Sequence, residues 1–198
     1  MGSIKYYDEN ADAFYARTIN ADISDLYERF LTHIKQQSKI LDAGCGVGRD
    51  AKYFLKLGHD VTAFDASKEM VKKASKEIDQ NVLHFTFQNI DFVDEFDAIW
   101  ANASLLHVPF DELRDIIQKF HRALKKDGIF FATFKYGDSK RDAGKRVFFD
   151  MNEENILPFL DSYFEPIEIW KSADTRSKIA ASPHKAWLNI LCKAILSG

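Results

Sequence analysis

The segment Ile40-Leu41-Asp42-Ala43-Gly44-Cys45-Gly46-Val47-Gly48-Arg49-Asp50 runs from an apolar strand through three alternate glycines into a helix. Glycine accepts positive φ and lets a ligand approach bare backbone. The helix that begins there adds unpaired N–H groups and the positive end of its dipole. A nucleotide-like ligand fits against such a turn. A dinucleotide fingerprint needs glycine at the sixth position of its motif. Counting from Gly44, that position is Arg49, and the third glycine comes one residue early. The apolar run Val61-Thr62-Ala63-Phe64 then ends in Asp65, 21 positions after Gly44. A carboxylate there accepts from both hydroxyls of a ribose, a charge-assisted bidentate contact. The ribose-binding acid of nucleotide folds stands about 20 residues on. An adenosine-bearing cofactor is expected, although this feature alone serves methyl donors and dinucleotides equally. Asp65 could instead cap the next helix, but Ser67 already offers that cap. Ala66 and Met70 then line the adenine side, Met70 doubling as a core residue.

The elements that must position these residues alternate along the chain. Residues 6–36 read as amphipathic helix, with Ala11, Phe14 and Tyr15, then Leu26, Phe30 and Ile34, at helical spacing. Asp22 is placed to cap the second of these helices. Strands are expected at 39–43, 60–64, 82–87, 96–100 and 129–134. Helices are expected over 50–57, stopped by Gly58, and from Ser67 through Ile78, burying Met70, Val71 and Ala74. A further helix opens at Pro109, shows the face Leu113, Ile116, Ile117, Phe120 and Leu124, and is ended by Gly128. Strands separated by helices imply parallel pairing with right-handed crossovers. The tail changes rhythm, with a helix at 152–160 and strands at 164–170 and 186–193. The expected fold is α/β: a Rossmann-like doubly wound sheet, mostly parallel, with an antiparallel edge hairpin and helices on both faces. Its ligand sits beyond the carboxyl ends of the strands, at the switch point. One domain over 1–198 is expected, with a helical cap (1–36), a cofactor-binding core (37–135) and a C-terminal helix and edge strands (136–198).

The glycine turn with Asp42 ahead of it resembles motif I of the class I S-adenosylmethionine-dependent methyltransferases. The resemblance extends over about residues 37–135. It implies that Gly44, Cys45, Gly46, Gly48 and Arg49 wrap the methionine part of the cofactor, and that a nearby acid pairs with its ammonium. The family often has an Asp after the third strand to hold the adenine amino group. This chain has Gln88-Asn89 there, whose amides accept equally well, with Asp91 as the other candidate. The segment Phe96 to Val108 is similar to the family's fourth strand and following loop. The likeness puts the Ala101 carbonyl by the cofactor ammonium and Asn102 through His107 beside the transferring methyl. His107 is the candidate general base, or else holds its loop by hydrogen bonds. The words Ala-Ser-Leu-Leu-His-Val-Pro and Phe-Lys-Tyr-Gly are similar to a small bacterial branch related to tellurite-resistance methyltransferases.

The expected reaction is methyl transfer to a small-molecule acceptor by in-line displacement, leaving S-adenosylhomocysteine. The alternatives are a non-catalytic S-adenosylmethionine-binding sensor or partner subunit, and a nicotinamide-dependent oxidoreductase, against which Arg49 argues. Acceptor walls are expected from Tyr6, Tyr7, Phe14, Tyr15 and Arg17, and from Lys135, Tyr136 and Gly137. Residues 138–146 read as a mobile charged loop: a solvated connection, or a lid whose Arg141 or Arg146 attracts an anionic acceptor. The loop from Ser172 to Lys178, with His184 and Trp187 beyond, has similar character, although Trp187 and Trp170 fit sheet packing better.

Composition bounds these readings. The chain has 198 residues, 46% hydrophobic and 29% charged, with a net charge of −3. That is ordinary globular composition, against disorder and against a nucleic-acid partner. No apolar run is long enough for a membrane span, and no signal-peptide core is apparent. Cys45 and Cys192 form no metal spacing, so no metal is expected and a cytoplasmic location is. Monomer and dimer both remain open.

Overall fold

The computed structural model describes residues 2–173 and 186–195. The cap is three short helices rather than two: α1 (Gly2–Glu9), α2 (Ala11–Thr18) and α3 (Ser24–Leu31). Asp22 Oδ1 accepts from the Ser24 backbone N–H at 3.0 Å and steadies the start of α3. Then follow β1 (Lys39–Ala43), α4 (Arg49–Lys56), β2 (Asp60–Asp65), α5 (Lys68–Ile78), β3 (Leu83–His84), β4 (Phe96–Ala101), α6 (Phe110–Ala123) and β5 (Leu124–Lys135). The rest comprises β6 (Lys140–Ala143), β7 (Arg146–Phe149), α7 (Glu153–Leu160), β8 (Phe164–Ala173) and β9 (Ala186–Ala194).

Seven strands form one sheet in the order β3-β2-β1-β4-β5-β9-β8. The first five are parallel, and β9 and β8 close one edge antiparallel. β1 pairs with both β2 and β4, so the switch point lies at its carboxyl end, where the glycines are. Alternation splits the strands between two cores. Leu41, Ile99, Ala101, Phe130 and Ala132 face α6 and α7. Ile40, Ala98, Trp100 and Phe131 face α3 and α4. Trp100 stacks on Phe131 with ring centroids 4.2 Å apart. Such a pair adds about 0.5–1.5 kcal/mol beyond its burial. Ser67 caps α5 as expected, its Oγ accepting from the Met70 N–H at 3.2 Å.

Three expectations need correction. The third strand spans only Leu83–His84, because the chain turns away where Asn89 Oδ1 accepts from Thr86 N and Oγ1. Gly128 does not end α6. The Arg122 and Ala123 carbonyls accept from Asp94 N and Glu95 N, which stops the helix, and β5 starts directly at Leu124 with Gly128 inside it. Residues 138–146 are not a loop: β6 and β7 form an antiparallel hairpin turned at Gly144. Phe148 and Phe149, both buried, anchor that hairpin. The expected loop through Lys178, with His184, falls mostly at 174–185, outside the described residues. No helix of the described residues is long and apolar enough to cross a membrane.

Candidate active site

The carboxyl end of β1 turns at Gly44, whose φ is +76°. A Cβ there would meet Ser104 Cβ at 2.6 Å, so only glycine lets the loop after β4 pass this close. Gly44 N and Cys45 N both donate to the Phe64 carbonyl, tying the turn to the end of β2. Asp65 completes the tie. Its Oδ2 accepts from Gly46 N at 2.8 Å and its Oδ1 from Ser67 N at 2.8 Å. Burial pushes the Asp65 carboxyl above the usual carboxylate range, opposed by these two N–H donors. Asp65 thus braces the turn before α5, whose cap is Ser67, and lines the cavity wall.

That cavity measures about 930 Å³ and is continuous. Its wall includes Ala66, Met70, Thr86, Phe87, Gln88 and Glu112, with Gly44, Cys45, Gly46, Arg49, Asp50 and Asn102. His107, Tyr7, Val147 and Phe149 line it as well. Several expected residues are not on its wall. Gly48, Asn89, Ala101 and Asp42 stand behind it. Gly48 serves packing, because a Cβ there would meet Ala74 Cα at 3.0 Å. The Asn89 side chain is spent on the turn at Thr86. Asp42 is buried with Oδ2 unpartnered, and burial together with the Asp50 charge pushes its carboxyl well above the usual range.

Asp50, read from sequence only as the start of a helix, is a polar hub at the cavity wall. It accepts from Tyr27 Oη at 2.6 Å, Arg49 Nε at 2.6 Å, Trp100 Nε1 at 2.8 Å and Asn102 Nδ2 at 3.1 Å. Burial disfavours its charge, but Arg49 and the other donors outweigh that and hold the carboxyl below its ordinary value. The remaining Asn102 oxygen accepts from Thr133 Oγ1 at 2.9 Å. Asn102 is thus locked in one orientation at the end of β4, and Ala103 beside it has φ +54°. An acid in the first turn of a helix looks like an ordinary dipole partner; only the adjacent Arg49 hinted at more.

His107 has both ring nitrogens engaged. Its Nδ1 donates to the Val147 carbonyl at 2.7 Å, which leaves Nε2 to accept from Tyr7 Oη at 2.9 Å. Burial lowers its pKa to about 4, so the ring is neutral at pH 7. The α1–hairpin roof has further ties. Lys145 pairs with Glu9 at 2.6 Å, and the Arg146 guanidinium lies 4.5 Å over the Tyr6 ring. Asp8 reaches from α1 to α5, accepting from Ser67 Oγ at 2.6 Å. Arg141 is committed to buried Asp150 through Nε and Nη2. Neither arginine of the hairpin lines the cavity, although Lys140 of β6 does. Among the described residues no group of His, Cys, Asp or Glu could hold a metal.

This arrangement, a glycine turn tied to a buried acid beside a cavity at the switch point, sits in a fold shared with solved methyltransferases. Residues 41–132 match the model of the methyltransferase domain family. The 1,6-didemethyltoxoflavin-N1-methyltransferase of Burkholderia thailandensis, solved with 1,6-didemethyltoxoflavin and S-adenosylhomocysteine bound, is similar at a TM-score of 0.76 and 22% identity. That likeness covers 96% of this chain and 84% of that one. A TehB-like S-adenosylmethionine-dependent methyltransferase from Corynebacterium glutamicum is similar at 0.69 and 20% identity, over 98% of both chains. The malonyl-[acyl-carrier protein] O-methyltransferase of Enterobacter lignolyticus is 31% identical over 106 residues, 52% of this chain and 41% of that one. The chain spans about two fifths of the length of such curated relatives.

Proposed function

We infer that this chain transfers the methyl group of S-adenosylmethionine to a small-molecule acceptor. The carrying observation is the single cavity in which Asp65, the glycine turn and the locked Asn102 face one space that continues under Tyr7 and Phe149. Its volume lies near the upper end for small-molecule sites, which leaves space for an acceptor beside a nucleoside. When bound, S-adenosylmethionine supplies an electrophilic methyl on a sulfonium, and the transfer is an in-line displacement by the acceptor. Asp65 takes the ribose hydroxyls, and Gly44 to Gly46 offer bare backbone to the methionine part. Arg49 and Asn102, held by Asp50, fix the polar floor. His107 is a positioning group for Tyr7 rather than a free base. The transfer then rests on alignment and exclusion of water, which supply about 7–11 kcal/mol in favourable cases.

The acceptor end is walled by Ile4, Tyr7, Val147 and Phe149. We assign it a compact, mainly apolar or aromatic acceptor, similar in kind to the ring system named for the Burkholderia enzyme. The overlay along nearly the whole TehB-like chain supports a place near the small bacterial branch related to tellurite-resistance methyltransferases. The cap, core and tail act as one catalytic domain.

Calorimetric titration tests the reading. S-adenosylhomocysteine binds and NAD does not, and Asp65→Ala weakens that binding by about 1.5–3 kcal/mol, the range for hydrogen bonds to a charged group. Binding of NAD alone, or an Asp65→Ala protein with unchanged affinity, overturns it.

A further inference from the structure

The cavity wall at Gln88 and Glu112 holds an arrangement that the reading above, on which this inference rests, does not require. Of residues 88–91, only Gln88 lines the cavity. Asn89 is occupied with Thr86, Ile90 is buried, and Asp91 is exposed. Gln88 Nε2 donates to Glu112 Oε2 at 2.5 Å. A carboxylate only accepts, so the NH2 end of the Gln88 carboxamide must face Glu112, and the amide cannot turn over without losing a charge-assisted bond. The backbone is tied as well, with the Gln88 carbonyl accepting from Lys119 Nζ. Glu112 sits in the first turn of α6, where the helix dipole favours its charge. Gln88 Oε1 accepts from no described residue.

We propose that Glu112 is a positioning residue that locks the Gln88 carboxamide with its oxygen toward the nucleoside base, so that the site accepts a 6-amino group and rejects a 6-keto group. An adenine amino group donates to that oxygen. A hypoxanthine keto oxygen meets it lone pair to lone pair, and the NH2 that could satisfy the keto group is held away by Glu112. Selection for adenine is thus set from α6, more than 20 positions after Gln88.

Two probes, S-adenosylhomocysteine and its deaminated form S-inosylhomocysteine, test this by calorimetry on the full chain. The wild-type protein binds the adenosyl compound at least about ten-fold more tightly, as a site built around a hydrogen bond does. In Glu112→Ala the amide is free to turn. That ratio then falls to within about three-fold, chiefly because S-inosylhomocysteine gains affinity. A merely structural role for Glu112 would weaken both ligands together. Gln88→Met also lowers the ratio, but through lost affinity for the adenosyl compound. A wild-type ratio near one, or a ratio unmoved in Glu112→Ala, overturns the proposal while the functional reading stands. Failure of the wild-type protein to bind either compound overturns both.

Discussion

The imidazole of His107 owes its neutrality to burial, and that has a consequence for stability. Burial brings its folded pKa down to about 4 from the ordinary 6.5. Between those two values the unfolded chain carries one more proton than the folded one, so stability falls as pH falls through that window. Below pH 4 both states are protonated and the dependence ends. Urea unfolding at pH 7 and pH 5 is expected to show that this one group costs the wild-type protein about 2 kcal/mol over the interval. His107→Asn is expected to lack that component, and equal slopes in the two proteins would contradict the neutral, doubly bonded ring. At this scale the site was unevenly legible. The turn at Gly44 and Gly46 was readable because it depends on local spacing and on backbone conformation. Asp50 was not, because its meaning comes from Tyr27, Trp100 and Asn102, which meet it only once α3, α4 and the end of β4 have packed. The Tyr7–His107 bond joins residues 100 positions apart, and nothing local announces it.

Elements were legible wherever a pattern had one strong interpretation. The five parallel strands, the edge pair and the helices of the core are all present, because alternation and helical spacing were unambiguous there. The misreadings fall where tertiary contacts outweigh local rules. Gly128 looked like a helix stop, yet the carbonyls ending α6 are taken by the chain entering β4. The charge run at 138–146 hid a hairpin whose anchoring phenylalanines come just after it. Gly48 is the case in which one residue decides how two elements approach. At φ +83° and with Ala74 Cα 3.0 Å from where a Cβ would stand, it lets the start of α4 lie against α5. Gly48→Ala meets both a left-handed conformation and overpacking, each worth about 1–2 kcal/mol or more. A fall in Tm of at least about 4 °C is expected in a thermal melt of a chain this size. An unchanged Tm would mean that α4 and α5 part without cost.

Across the whole molecule, stability is distributed so that α1, over the cavity, is anchored more weakly than the sheet beneath it. β1, β4 and β5 are fully buried along most of their lengths, and Trp100 and Phe131 are sealed between sheet and helices. The α1 helix buries no residue at all. It is kept in place by contacts at its polar groups: Tyr7 to His107, Asp8 to Ser67, and Glu9 to Lys145 on the hairpin. Exposed pairs of the last kind are worth only about 0–1 kcal/mol. Segments with few buried apolar contacts open at small free energy while the sheet stays closed. Amides of α1 are therefore expected to exchange with deuterium faster than those of β1, β4 and β5 in the free protein. Tyr7 and Val147 line the same cavity as Gly44 and Asp65, so S-adenosylhomocysteine bound there is expected to slow exchange in α1 and β7 together. The amides of β1, β4 and β5 lie at the top of the stability range in either state and are expected to change little. Protection confined to residues 44–48 and 65–67 would instead mean that α1 and the hairpin cover the crevice without closing on what it holds.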